Sequence, residues 1–443
     1  STLSVYQQGA GNGKTYGIWK SIVENKDRNV FIIVTKQHSA KNVIYEELID
    51  QKLRFNESEG KDAYHITHIE NESEYNTEKH YVIKYTHKVS GRECTVIIGT
   101  IDSFCFNLSN SMAKGSDYFK GIIDNITENG PSKLRDGCMR FGGQFIKIGK
   151  QTDIWIDEVQ DLPINYLHAM IKLMYETQCY MNVVGDKLQS LEYPNNFLTG
   201  ITNEGLPNIN VVIKEPINVN RRIKVTNMCK KINEMVDYCK YALPPIKCSE
   251  DIEKIENNEP IKIIESPTIY ADDKDVKKIQ DLCDTIMWHY KYEVEINGYL
   301  PKDFLIIFPI MKNNVLANEL QCKIQDYWLK KETDNVSYTQ YVYLHKHTEG
   351  SVINTNDSVN ATRILSIRSS KGDGRKVVFV LGVTERSLKL VSNNEFGLVY
   401  DSHLNVSLTR AKYQIYFALN KNNDDIHKRF FNNGYCEYLP TIN

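Results

Sequence analysis

The sequence predicts an α/β protein built on two parallel sheets, and three observations point there. A short apolar strand, Thr2 to Tyr6, runs directly into the glycine-rich segment Gln8-Gly9-Ala10-Gly11-Asn12-Gly13-Lys14-Thr15, which opens a helix. Continuous apolar runs then alternate with helix-like stretches, as strands covered on both faces do. From about Asn218 the alternation starts again, so the 443 residues, too many for one core, divide into two domains, 1–217 and 218–443.

After Thr15, Ile18 with Ile22 and Trp19 with Val23 repeat at helical spacing. Strand, glycine loop and helix together form the phosphate cradle of a P-loop NTPase. Backbone N–H groups of Gly9, Ala10, Gly11, Asn12 and Gly13 close around phosphate oxygens, and the helix N-terminus adds partial positive charge. Lys14 is expected to reach the β and γ phosphates of ATP, and the Thr15 hydroxyl to ligate Mg²⁺. Gln8 stands where the motif ordinarily begins with Gly or Ala.

The next strands are Val30 to Thr35, Thr95 to Thr100, Asp153 to Asp157, Met181 to Gly185 and Asn210 to Lys214. Ligands of such sheets sit at the carboxyl ends of strands, where Lys14, Asp157, Asp186 and Gln189 fall. Asp157 and Glu158 close the run Ile154-Trp155-Ile156. One acid there suits Mg²⁺, and its neighbour Glu158 suits polarising the attacking water. In the second half, Ile261 to Ile264, Leu305 to Phe308, Arg363 to Ile367, Val377 to Leu381 and Gln414 to Leu419 read as strands.

Composition is that of a soluble globular protein, with 41% hydrophobic and 25% charged residues. No apolar run approaches the roughly 20 residues of a membrane span. The expectation is an intracellular protein of cytoplasm or nucleus, a host's if viral; the abundance of Asn, Lys, Ile and Tyr suits an AT-rich genome. Net charge is −2, so a nucleic-acid partner needs a local groove. Ten cysteines without a CxxC pair suit reduced thiols. The irregular spacing of His65, His68, Cys94 and Cys105 argues against zinc. Because the chain opens on Ser1, either a missing initiator Met or a processed or excised piece is expected.

Set in order, these segments resemble the superfamily 1 helicases of the UvrD/Rep type from end to end. Thr35-Lys36-Gln37-His38-Ser39-Ala40 and Gly99-Thr100-Ile101-Asp102-Ser103-Phe104 are similar to that family's strand-contacting motifs, and Asp157-Glu158-Val159-Gln160-Asp161 to its Asp-Glu-x-Gln-Asp box. Gly185-Asp186-Lys187-Leu188-Gln189 resembles its coupling motif, which implies that Gln189 senses the γ-phosphate. Asn220-Arg221-Arg222 resembles Asn-Tyr-Arg, making Arg222 a γ-phosphate arginine, and Val406-Ser407-Leu408-Thr409-Arg410-Ala411 resembles the final motif, making Arg410 the arginine finger. Ser366-Ile367-Arg368-Ser369-Ser370-Lys371-Gly372 looks like Thr-x-His-x-x-Lys-Gly, which implies nucleotide contact at Gly372 and strand contact at Ser366 and Arg368. By the same likeness Thr35, Thr100, Asp102 and Phe104 touch the strand. The chain departs from the family in several places. There is no room before Thr2 for an adenine-reading glutamine motif, so loose base selectivity is expected. Tyr193 is the candidate to replace the family's stacking tryptophan, with a core tyrosine as the alternative, and Arg368 and Gly374 replace the histidine and glutamate around Lys371-Gly372.

The resemblance implies two RecA-like domains with small inserted subdomains and an ATP cleft between the domains. The inserts fall at about 55–93, holding a hairpin-like pin around Val89-Ser90-Gly91, at 106–150, the most basic, and at about 330–360. The implied activity is an ATP- and Mg²⁺-dependent helicase or translocase on single-stranded DNA or RNA and duplex junctions, with 3′→5′ polarity favoured and replication or repair proteins as partners. A compact chain with an insert between the second and third motifs also occurs among 5′→3′ members. The rival reading is a nucleic-acid-stimulated ATPase switch that remodels a partner without unwinding.

Overall fold

The computed structural model describes residues 1–37, 40–47, 64–71, 80–87, 91–267, 269, 273–332, 339–346, 358–392, 398–420 and 426. His38 and Ser39, Val89 and Ser90, and residues 333–338 and 347–357 of the third insert lie outside them. The chain divides into two compact units, Ser1–Ile217 and Asn218–Asn443.

The strands of the first unit are β1 (Thr2–Gln7), β2 (Val30–Thr35), β3 (Tyr64–Asn71), β4 (Tyr81–His87), β5 (Glu93–Thr100), β6 (Cys138–Phe141), β7 (Gln144–Lys147), β8 (Thr152–Ile156), β9 (Tyr180–Gly185) and β10 (Asn210–Ile213). Eight form one sheet in the order β10-β1-β9-β8-β2-β5-β4-β3, and β6 pairs with β7. From β10 to β5 all neighbours are parallel. Strand β9 therefore separates the strand feeding the glycine loop from the strand ending in Asp157.

Period-two alternation sorts the apolar residues onto two cores. Ile32 and Val34 of β2 pack with Phe104, Leu108, Leu167 and Met170 on one side. Phe31 and Ile33 pack with Ile18, Trp19 and Ile22 on the other. Both faces being covered, five of the six residues of β2 are buried, which is why its sequence is a continuous apolar run.

The two strands expected as a hairpin, Tyr81 to Tyr85 and Cys94 to Ile97, do pair antiparallel, and both are built into the main sheet. Strand β4 pairs antiparallel with β5, and β3 with β4, so the sheet is extended at this edge. The apolar residues Val82, Ile83, Val96 and Ile97 are fully or almost fully buried there, and burial of that kind holds a strand in the sheet.

In the second unit, β11 (Val219–Asn220) pairs with β12 (Lys247–Cys248), and β13 (Ile261–Glu265), β14 (Phe304–Phe308), β15 (Val342–Leu344), β16 (Thr362–Ser366), β17 (Arg375–Val380) and β18 (Ala411–Leu419) form a wholly parallel sheet ordered β13-β18-β17-β14-β16-β15. Helices Val276–Asn297 and Val315–Lys331 cover one face through Ile286, Tyr290, Leu320 and Trp328. The α/β class with two parallel sheets is thus the observed one. The expectation of reduced cysteines fails at one pair, because Cys229 and Cys248 are joined in a disulfide between the helix Met228–Met235 and β12. Residues 19 apart in sequence meet there, a proximity that spacing does not reveal.

Candidate active site

The glycine loop leaves β1 at its carboxyl end. Gln8 N–H donates to the Gly185 carbonyl at 2.9 Å and Gly9 N–H to that of Ile217 at 2.8 Å, pinning the loop to the ends of β9 and the chain beyond β10. Gly11 and Gly13 have φ of 70° and 73°, the left-handed region that glycine enters without steric cost. The helix Lys14–Glu24 then starts with no side-chain cap and no acid in its first turn. A helix start built this way favours an anion.

Lys14 Nζ sits 3.2 Å from both carboxylate oxygens of Glu158. Burial disfavours the ammonium, but Glu158, Asp157 and Asp186 outweigh it and raise the lysine's pKa. Asp157 is buried, and its pKa is pushed up to about 7, first by desolvation and then by the charge of Glu158. Glu158 holds a left-handed φ of 55°, uncommon for a residue with a Cβ, and its N–H donates to Asp157 Oδ1 at 2.9 Å. Strain of this kind gathers at functional sites.

Around these acids runs a network that the sequence does not disclose. Gln160 Nε2 donates to Glu158 Oε2, while its Oε1 accepts from Asp186 N–H at 3.0 Å. Asp186 Oδ1 accepts from Gln7 Nε2 at 2.9 Å and from Leu188 N–H at 3.0 Å, and Oδ2 accepts from Gln189 Nε2 at 3.0 Å. Gln160 and Asp186 stand inside recognisable motifs; nothing in the sequence marks Gln7. Gly185 is required for the contact, since a Cβ there would lie 2.8 Å from Gln160 Oε1.

The residues fit Mg²⁺ with phosphate. Hydroxyl and carboxylate oxygens, as on Thr15 and Asp157, are hard donors, and a buried carboxylate held partly neutral lacks a cation. Among the described residues no group of three or more His, Cys, Asp or Glu could hold a metal.

In the second unit the turn after β16 gathers arginines around Asp373. Its carboxylate accepts from Arg363 Nη1 at 2.6 Å and Arg375 Nε at 3.3 Å. Burial alone would raise the Asp373 pKa, but the two guanidiniums prevail and lower it. Arg410 is 1% exposed and donates to the carbonyls of Val406 at 3.1 Å, Ser370 at 3.3 Å and Asp373 at 3.4 Å. Arg222 donates from Nη1 to the Thr409 carbonyl at 2.9 Å, and desolvation lowers its pKa. Among the described residues Arg222 has no ion pair. Asn220 accepts from the N–H groups of Arg222 and Ile223 at 2.8 and 2.9 Å, fixing the chain that carries the arginine.

No family model matches this chain, and no curated protein matches it in sequence. Among solved structures it is similar to the arterivirus nonstructural protein 10 (helicase), with 10% identity and a TM-score of 0.37 over 96% of this chain and 61% of that one. It is also similar to an arterivirus nonstructural protein 10 (helicase) in complex with DNA, with 12% identity and a TM-score of 0.39 over 97% and 63% of the two chains. The chain spans less than two thirds of the length of either.

Several residues expected to meet a strand have other duties. Phe104 is fully buried and packs edge-on to Phe141 at 5.4 Å. Thr100 is buried as the cap of the helix Ile101–Leu108, its side chain accepting from Ser103 N–H at 3.3 Å. Ser366 is buried, its Oγ 2.9 Å from Ser369 Oγ and accepting from Ser369 N–H at 3.0 Å. Thr35 is buried at the end of β2. Asp102 is half-buried and accepts from Tyr166 Oη at 2.6 Å. Tyr193 and Arg368 are half-buried, Tyr193 with Lys36 Nζ 5.3 Å from its ring centroid. Gly372, at φ 81°, is exposed on the turn before Asp373.

Proposed function

We propose that this chain is an ATP-hydrolysing motor of the superfamily 1 helicase type, with two RecA-like units, acting on single-stranded nucleic acid. The observation that carries the hydrolysis is the single connected cluster at the carboxyl ends of β1, β8 and β9: a glycine-loop lysine, two adjacent acids, and a glutamine reached through Asp186. The nucleic-acid half rests on the order of the motifs along the chain, with 3′→5′ polarity preferred.

The chain's own residues divide the work. Gly9 to Gly13 and the helix start bind phosphate oxygens, and Lys14 leaves Glu158 for the β and γ phosphates. Thr15 and Asp157 are the residues that would hold Mg²⁺, which when bound neutralises charge on the phosphates. Glu158, released from Lys14, takes the proton of the attacking water. Gln189, on the Asp186 network, responds to loss of the γ-phosphate. Arg222, with no ion pair among the described residues, is the arginine best suited to meet developing phosphoryl charge. Arg410, committed to three carbonyls, holds the turn against which Arg222 lies.

The test is ATP hydrolysis with and without polynucleotide, run beside strand displacement from 3′-tailed and 5′-tailed DNA and RNA duplexes. Stimulated hydrolysis with displacement from the 3′ tail is expected. Stimulation without displacement from either tail would favour the switch, and no stimulation by any polynucleotide would remove the nucleic-acid reading.

A further inference from the structure

The hairpin β6–β7 carries a face that the proposed motor chemistry does not use. Its turn is Gly142-Gly143, with φ of 56° and 73°, the two positive values that a two-residue hairpin turn needs. Arg140 is paired directly with Phe145, and Cys138 with Lys147, which puts these four side chains on one face. The other face holds Met139, Phe141 and Ile146, all buried, with Phe141 against Phe104 and His80. The ribbon is thus anchored from beneath while Phe145, 79% exposed, stands outward. An outward ring on an anchored ribbon leaves a flat apolar face open to stacking.

The surrounding charge selects that partner. Between Lys133 and Lys150 five cations accompany one acid, Asp136, in a chain whose net charge is −2. Lys133 is committed, its Nζ donating to the Phe106 carbonyl and lying 4.2 Å from the Phe106 ring. Arg135, Arg140, Lys147 and Lys150 are exposed, and none has an ion pair among the described residues. An exposed ring flanked by uncommitted cations matches a polymer that presents flat base faces and phosphates together. A duplex hides its base faces, so the match is to a single strand.

We propose that the outer face of β6–β7 is a single-strand binding platform, on which a base stacks on Phe145 while Arg140 and Lys147 contact phosphates. This rests on the nucleic-acid reading above and adds a site to it.

Fluorescence anisotropy with labelled oligothymidylate and oligouridylate of about 16 nucleotides, and a duplex of equal length, tests it. Phe145→Ala should weaken single-strand binding by about 5- to 150-fold, and Phe145→Tyr should restore it. The double variant Arg140→Gln, Lys147→Gln should keep its melting temperature and lower the log–log salt slope by about 0.7 for each phosphate it no longer neutralises. Unchanged affinity in Phe145→Ala, with an unchanged salt slope in the double variant, would overturn the platform and leave the motor reading standing. A wild-type protein that binds neither oligonucleotide would overturn both, and wild-type preference for the duplex would overturn the single-strand assignment.

Discussion

Arg222 lies across Gly374: a Cβ at position 374 would stand 2.5 Å from Nε and 2.6 Å from Cδ of the arginine. Glycine there is set by close approach, and a side chain at this position is incompatible with Arg222 as placed. Gly374→Ala should therefore move the guanidinium without unfolding the unit. Since a displacement of about 1 Å can lower a rate 10²-fold, kcat for ATP hydrolysis should fall by about that factor, and Arg222→Ala by about 10³-fold or more. Steady-state hydrolysis beside thermal melting checks this; full activity in Gly374→Ala would remove Arg222 from the chemistry.

The ion pair between Lys14 and Glu158 makes a second expectation. Glu158 is paired with the lysine proposed to meet the phosphates of ATP. Glu158→Gln should release Lys14, so a fluorescent ATP analogue should bind at least as tightly as in wild type while single-turnover hydrolysis drops about 10²- to 10⁴-fold. Lys14→Ala should lose binding and hydrolysis together. Weaker nucleotide binding in Glu158→Gln would mean that the carboxylate helps hold phosphate, contrary to the roles assigned.

Asp157 gives a pH dependence with a definite sign. Its folded pKa of about 7 lies above the ordinary carboxylate value of 3.8, so the folded state keeps a proton that the unfolded state releases. The group's penalty is absent below about pH 4, grows as pH rises, and is complete above about pH 7. Asp157→Asn should melt with wild type at pH 4 and above it at pH 8, by roughly 2–4 °C for each kcal/mol relieved. Mg²⁺ with nucleotide should narrow that gap by stabilising the wild type. Equal melting at pH 8 would show that Asp157 is already neutralised by its neighbours.

The strands are legible because burial on both faces writes an uninterrupted apolar run, as in β2 and β14. The phosphate loop is legible because Gly11, Gly13 and Lys14 fall where positive φ and a helix start are both required. Phe104 misleads because a motif fixes its position and not its direction. Ile101, Phe104, Cys105 and Leu108 repeat at i, i+3, i+4 and i+7, and that stripe is the sign of a core side chain. Gln7 and the arginine cluster on Asp373 are illegible for another reason. Hydrogen bonds between Gln7 and Asp186, 179 residues apart, leave no periodic trace.

The Asp373 cluster makes the last expectation, which concerns stability more than chemistry. Two guanidiniums hold this carboxylate in a buried place and its carbonyl accepts from Arg410, so removing its charge leaves Arg363 and Arg375 facing each other. Breaking a buried pair of this kind costs about 3–5 kcal/mol. Asp373→Asn should destabilise the protein by about that amount near pH 7. Because the folded pKa is depressed, the aspartate's contribution is present above its unfolded value of 3.8 and is lost as pH falls through the lower folded value. The gap between wild type and Asp373→Asn, followed by urea unfolding, should therefore hold from pH 7 down to about pH 4 and close only below it. A gap that closes already near pH 6 would mean that Asp373 is not the charged centre of the cluster, and that the turn carrying Gly374 is held by the Arg410 carbonyl bonds alone.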